Sequence, residues 1–113
     1  MHEMAVTGNI LRIALTEAER VEATRITGIT LVIGELSSIL NDSVQLYFDL
    51  LSEGSIASGA TLIFKRIPAT LRCPACGLTY PKHGGRFACP ACGADGRLTG
   101  NAKEFYIESM EVE

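Results

Sequence analysis

Four cysteines in two near-identical knuckles constrain this chain more than any other feature. Cys73-Pro74-Ala75-Cys76-Gly77 and Cys89-Pro90-Ala91-Cys92-Gly93 give the spacing C-x2-C-x12-C-x2-C. Each pair can turn both sulfurs toward one point, and four thiolates around one ion suit tetrahedral zinc. The glycine after each knuckle lets the chain turn back, and backbone N–H groups there can donate to the sulfurs and spread their charge. Between the knuckles, Leu78-Thr79-Tyr80 and Arg86-Phe87-Ala88 flank Pro81-Lys82-His83-Gly84-Gly85, which predicts two short strands and a turn, a zinc ribbon. Two disulfides do not suit a cytosolic chain, and a thioredoxin-like redox site needs only one such pair beside a βαβ unit. Iron in a rubredoxin-like knuckle is the competitor to zinc, because Cys-Pro-x-Cys-Gly also suits tetrahedral iron. Four thiolates saturate the ion, so the site reads as structural, with no open position for water or substrate.

The cysteines also mark a boundary. From Thr70 to Gly100 the chain holds Arg72, Lys82, Arg86 and Arg97 against Asp95 alone, a net charge of +3, which leaves −6 for the remainder of a chain whose total is −3. All four Cys and three of the four Pro lie in that basic stretch. The reading is a zinc-ribbon domain over 70–100 inserted into an α/β domain formed by 1–69 and 101–113, with Pro68 and Gly100-Asn101 as hinges. With only seven aromatics and no Trp in 113 residues, the body must build its core from Leu, Ile, Val and Ala. A core of that size benefits from a staple.

Hydrophobic periodicity supplies the body's elements. Met4 to Glu22 predicts a helix, with Leu11, Ala14, Leu15 and Ala18 on one stripe. Arg25 to Leu36 predicts a mostly buried strand, rich in Ile, Val and Thr and ended by Gly34-Glu35. Asp42 with Gln45 three residues on resembles a capping box for a second helix, whose Val44, Tyr47, Phe48 and Leu51 share a face and which Gly54 closes. Ala60 to Ile67 and Lys103 to Val112 predict two further strands. The expected fold class is α+β, two helices packed on a small three-stranded sheet, with the four-cysteine zinc-ribbon module inserted between two neighbouring strands.

The first residues, Met-His-Glu-Met-Ala, carry an acid where a signal peptide carries positive charge, and no apolar run reaches the ~20 residues of a membrane span. The expectation is a cytoplasmic protein without membrane contact. They also hold a candidate metal-binding set. The Met1 α-amine, the His2 amide nitrogen and the His2 imidazole can chelate one metal through fused five- and six-membered rings in a square plane, which points to Ni(II) or Cu(II). The amine has a reference pKa of about 7.7–8.0, so such binding strengthens as pH rises near neutrality. The alternative is a frayed terminus. His83, in a Gly-rich turn, reads as a solvated loop residue.

Taken together, the Met-His-Glu start, Ile26-Thr27-Gly28-Ile29 through Ile33-Gly34-Glu35-Leu36, Phe48-Asp49-Leu50 followed by Gly54-Ser55-Ile56-Ala57 and Gly59-Ala60, and the paired Cys-x-x-Cys knuckles resemble the hydrogenase-maturation nickel metallochaperone family of the HypA/HybF type. The resemblance spans essentially the whole chain. It implies a nickel-binding α/β body with an inserted zinc ribbon, accepting Ni(II) and helping place it in the large subunit of [NiFe]-hydrogenase, in some members also in urease, with the GTPase HypB as partner. By this resemblance His2 is a nickel ligand with the Met1 α-amine, Glu3 and Asp42 are candidates to complete the nickel site, and Cys73, Cys76, Cys89 and Cys92 hold structural zinc. Nickel is then transient cargo, and the working form a monomer or homodimer. The basic module is expected to dock on an acidic face of the target through Lys82 and Arg86.

A second class of function is a zinc-ribbon adaptor binding nucleic acid or a protein complex. The acidic whole chain and a ribbon without dense Lys/Arg and aromatic interleaving speak against nucleic acid. No nucleophile–base pair, phosphate loop or open metal site marks an enzyme.

Overall fold

The computed structural model describes residues 3–82 and 86–113, with Asn101 and Ala102 described by their backbone alone. The proposed chelators Met1 and His2, and His83 with Gly84-Gly85, lie outside the described residues. The element order is α1 (Glu3–Arg20), β1 (Ile26–Gly34), α2 (Asn41–Leu51), β2 (Thr61–Ile67), β3 (Thr70–Arg72), β4 (Thr79–Pro81), β5 (Arg97–Leu98), a 3-10 turn (Gly100–Lys103) and β6 (Phe105–Val112). The chain divides into two compact units, the first of residues 1–32, 38–65 and 106–113, the second of 33–37 and 66–105.

In the first unit, α1 buries Thr7, Ile10, Leu11, Ala14 and Ala18, a three- and four-residue repeat on one face. Its small residues let another element approach closely, and α1 packs against α2. Leu15, expected on that stripe, is only half buried, and Ile10 takes the place beside Leu11. Arg20 and Glu17 pair at 2.9 Å on the outer face, and the helix gives way to a turn in which Glu22 adopts φ 57°. On α2, Val44 and Phe48 are fully buried, whereas Leu46, Leu50 and Leu51 are exposed.

The expected capping box does not form. Leu40 is the N-cap residue in extended backbone and makes no side-chain cap, so Asp42 falls inside the first turn, exposed to solvent. Gln45 reaches forward instead, donating to the Asp49 carboxylate at 2.8 Å. A carboxylate from elsewhere serves the helix start: Glu3 Oε2 accepts from the Leu40 N–H at 3.4 Å. A sequence window around α2 holds no trace of that long-range cap.

The main sheet has the order β2-β1-β6. β1 is central, and its Ile26, Ile29, Leu31, Val32 and Ile33 are almost completely buried, the near-continuous apolar pattern of a strand covered on both faces. β2 and β6 are therefore not neighbours, contrary to expectation. The segment between them joins the two edges of the sheet across β1, so its ends cannot be joined by a tight hairpin turn. At the far end of β6, Glu113 and Arg25 exchange backbone hydrogen bonds, and Thr24 N–H donates to Glu113 O at 2.7 Å.

Within the second unit a small sheet has the order β4-β3-β5. β3 pairs antiparallel with β4, Leu71 opposite Tyr80, and with β5, Arg72 opposite Arg97. The turn of the ribbon expected between 78–80 and 86–88 lies outside the described residues. Thr79–Pro81 pairs with β3, and Ala88 forms an isolated antiparallel bridge with Asp95. β3 lies outside the expected strands because Thr70-Leu71-Arg72 is too short to show a period. Also in this unit, Glu35 N–H donates to Ile67 O and Gly34 N–H to Glu104 O.

Candidate metal centre

The two knuckles fold alike, as their near-identical sequences require. Gly77 N–H donates to Cys73 O at 2.9 Å and Gly93 N–H to Cys89 O at 2.9 Å, while Cys73 N–H donates to Leu78 O and Cys89 N–H to Ala94 O. Each turn places its glycine at positive φ, 79° for Gly77 and 82° for Gly93, a conformation a side chain disfavours. This geometry folds each loop around its two sulfurs.

The four Sγ atoms lie within 4.8 Å of one another. Cys73 and Cys92 approach to 3.4 Å and Cys76 and Cys89 to 3.6 Å, so the two knuckles bring their sulfurs together. Tetrahedral thiolate at about 2.3 Å from zinc places sulfurs roughly 3.8 Å apart, and these spacings fit that cage. Cys73 and Cys89 are buried, Cys76 and Cys92 exposed. One ligand of each knuckle thus anchors the site in the interior, and the other faces solvent.

Left to themselves, four thiols at this spacing cannot all ionise. The Cys76 backbone N–H pulls Cys73 down to about 6, favouring one thiolate at neutral pH. The Ala94 N–H acts the same way on Cys92, yet Cys73, burial, Cys89 and Cys76 together outweigh it and push Cys92 up to about 11. A divalent cation removes the conflict by supplying the positive charge that all four sulfurs lack. The donor set therefore fits a four-coordinate thiophilic ion.

The support around the sulfurs comes from residues that the spacing argument passed over. Leu71, Tyr80 and the two buried cysteines form the core of the second unit, with Ala94 packed against them. Burial holds the Tyr80 phenol above its ordinary pKa, with the Cys89 and Cys73 charges adding to that, and the protonated hydroxyl donates to Phe87 O at 2.6 Å. Gly96 makes room for it. A Cβ at position 96 would sit 2.0 Å from the Tyr80 hydroxyl. Neither Tyr80 nor Gly96 carries a local signal of this role, because they meet only through the folding of β4 against the second knuckle.

Of the other site candidates, Glu3 is buried in the first turn of α1. Its backbone carbonyl accepts from the Thr7 hydroxyl, and its carboxylate meets the start of α2. Asp42 lies two residues beyond Leu40 on that same helix start. The structure thus brings Glu3 to the beginning of the helix that carries Asp42. Lys82 is only 14% exposed, lies 3.9 Å from Glu35 and sits over the Phe87 ring, whereas Arg86 is exposed.

Fold and site together define a small α+β protein with a four-cysteine metal-binding module between two strands of its main sheet. Comparison with known proteins narrows that class. A family model described as hydrogenase/urease nickel incorporation, metallochaperone, hypA, matches residues 1–112. The chain is 44% identical, over all of both proteins, to the hydrogenase maturation factor HypA of Caldanaerobacter subterraneus subsp. tengcongensis. It is 42% identical to that of Dehalococcoides mccartyi, covering 100% of this chain and 95% of the relative. The solution structure of the Ni metallochaperone HypA from Helicobacter pylori superposes with TM-score 0.71 at 20% identity, covering 99% of this chain and 97% of that one. A further solution structure of a HypA protein gives 0.78 at 22%, covering 100% and 97%, and both likenesses concern the fold. The chain belongs to the HypA family of nickel metallochaperones for hydrogenase and urease nickel incorporation, whose members are maturation factors and not enzymes.

Proposed function

We propose that this protein binds Ni(II) at its N-terminus and delivers it to the large subunit of [NiFe]-hydrogenase or to urease in the cytoplasm, with a HypB-type GTPase as partner, while the four cysteines hold structural zinc. The observation that carries this reading is the family match from residue 1, which includes Met-His-Glu at the start of the chain. In it, the Met1 α-amine, the His2 amide and the His2 imidazole supply the planar nitrogen donors. Glu3 and Asp42 compete for the remaining position. In support, Glu3 is held at the start of α2, and Asp42 is exposed in the first turn of that helix, whose N-cap is Leu40. A site made from the first residues of the chain also suits a carrier, since ligands can exchange onto a target without opening the core.

Zinc is the reading for the four-cysteine set because four thiolates in this cage leave no open position, which suits an architectural ion. The body of 1–69 and 101–113 then carries nickel, and the 70–100 module presents a basic surface to an acidic face of the target. Arg86 is the better probe of that surface, because Lys82 faces Glu35 and Phe87. Arg86→Glu is expected to weaken binding of the hydrogenase large subunit with nickel binding unchanged, and unaltered affinity would remove the docking role.

The deciding experiment is a Ni(II) titration of tag-free, zinc-loaded protein beside His2→Ala, with nickel and zinc measured on the same samples. The expected result is one nickel in the parent, none in the variant and equal zinc in both. Equal nickel binding by both proteins, or none by either, would refute the N-terminal site.

A further inference from the structure

The edge strand β6 borders a groove that the metal chemistry does not use. The groove has a volume of about 430 Å³ and lies between α1 and β6, lined by Ile13 from the helix, Val21 just after it, and Ile107, Met110 and Val112 from the strand. Ile13, Val21 and Val112 are 42%, 51% and 41% exposed, so an apolar strip is open to solvent along the strand. β6 runs for eight residues without Pro or Gly. Among the described residues its one strand neighbour is β1, so the backbone groups of its other side can pair with a further strand.

Charge selects the occupant. Glu17 lines the groove, and Glu108, Glu111 and Glu113 follow one another along and just beyond the strand. Glu17 is paired with Arg20 and Glu108 with Lys65, but the Glu111 and Glu113 carboxylates form no ion pair among the described residues. A second copy of this chain would bring the same acids against them, which opposes pairing of β6 with itself. A basic segment would not.

We propose that β6 and the groove beside it bind an extended segment of a partner protein in which apolar and basic residues alternate. Added as a fourth strand, such a segment satisfies the free edge of β6 with its backbone. Successive side chains of a strand point to opposite faces, so its apolar residues fill the space against Ile13, Val21 and Met110 while its Lys or Arg residues meet Glu111 and Glu113. None of the residues lining the groove is a proposed nickel ligand, so the proposal stands or falls independently of nickel binding.

The test uses the full, zinc-loaded chain and a synthetic peptide of about nine residues alternating Val and Lys, a length matched to β6, with a Val/Glu peptide as control. Binding is read by peptide fluorescence anisotropy and by amide NMR shifts. The expected result is saturable binding of the basic peptide, shifts centred on Ile107 to Val112, and at least tenfold weaker binding by the acidic peptide. Ile13→Lys and Val112→Lys, both at exposed positions, should each weaken the basic peptide about tenfold, and Glu111→Lys with Glu113→Lys about fivefold. Shifts confined to other surfaces, or affinity unchanged in Ile13→Lys, would overturn the proposal. So would β6 shifts that follow protein concentration without peptide, which would make the occupant a second copy.

Discussion

The first unit buries Ile10, Leu11, Ile26, Ile29, Leu31, Val44, Phe48 and Leu62, enough aliphatic surface in two helices and a sheet to hold itself together. The second unit, with strands of two and three residues, gathers Leu71 and Tyr80 around Cys73 and Cys89 in one buried cluster, so half of that cluster consists of metal-binding residues. Summed over their residues with His neutral, the first unit carries −6 and the second +3. The lesson is that one chain stabilises two regions by different physics. Apolar burial scales with size and suffices for the larger. The smaller replaces missing core with coordination.

That contrast can be broken most strongly through the metal. Cys89→Ser, or removal of the ion by a chelator, should cost the second unit on the order of 10 kcal/mol of coupled binding and folding free energy. Its amide dispersion should collapse while Ile26, Leu31 and Phe48 keep their shifts. Loss of the first unit's signals in the same experiment would show that the metal holds both. The converse is Phe48→Ala, which empties a fully buried site and should cost roughly 3–5 kcal/mol. Denaturation followed by zinc content should show the first unit failing at lower denaturant with the metal retained.

Within the second unit, Gly96→Ala tests whether packing contributes beyond coordination. The new methyl collides with the Tyr80 hydroxyl, and displacing that ring should cost roughly 1–3 kcal/mol. The measurement is the zinc dissociation rate into excess chelator, expected to rise in Gly96→Ala, and a rate equal to the parent's would mean that the sulfurs hold the unit unaided. The smallest effect concerns Ser52, fully buried in the first unit with its hydroxyl unpartnered among the described residues. Ser52→Ala should be neutral or stabilise by up to about 1 kcal/mol, seen as a small rise in Tm, and a loss of more than that would reveal a bond the hydroxyl makes.

Much of this was legible in order along the chain. Both long helices, the three long strands and the metal-binding quartet follow from period and spacing, because each is specified by residues close in sequence. The knuckles are the clearest case, since C-x2-C-G builds its own turn from positive-φ glycine and local N–H donors. The misread features were long-range. Asp42 resembles a cap only while Glu3 is out of view, 37 residues upstream of Leu40. The ladders of Thr70–Arg72 with Thr79–Pro81 and Arg97–Leu98 left no signal either, because these segments are too short for any pattern.

The sequence by itself determined which residues could bind a metal, the approximate extent of the main elements and the acidic–basic division, because spacing, period and formal charge are properties of neighbours in the chain. Only the tertiary structure decided that β1 separates β2 from β6, that the two knuckles bring their sulfurs together, that Gly96 makes room for Tyr80, and that an edge strand lies beside an open apolar groove. Each of these depends on which distant segments share space, and that is settled by burial and steric fit across the whole fold.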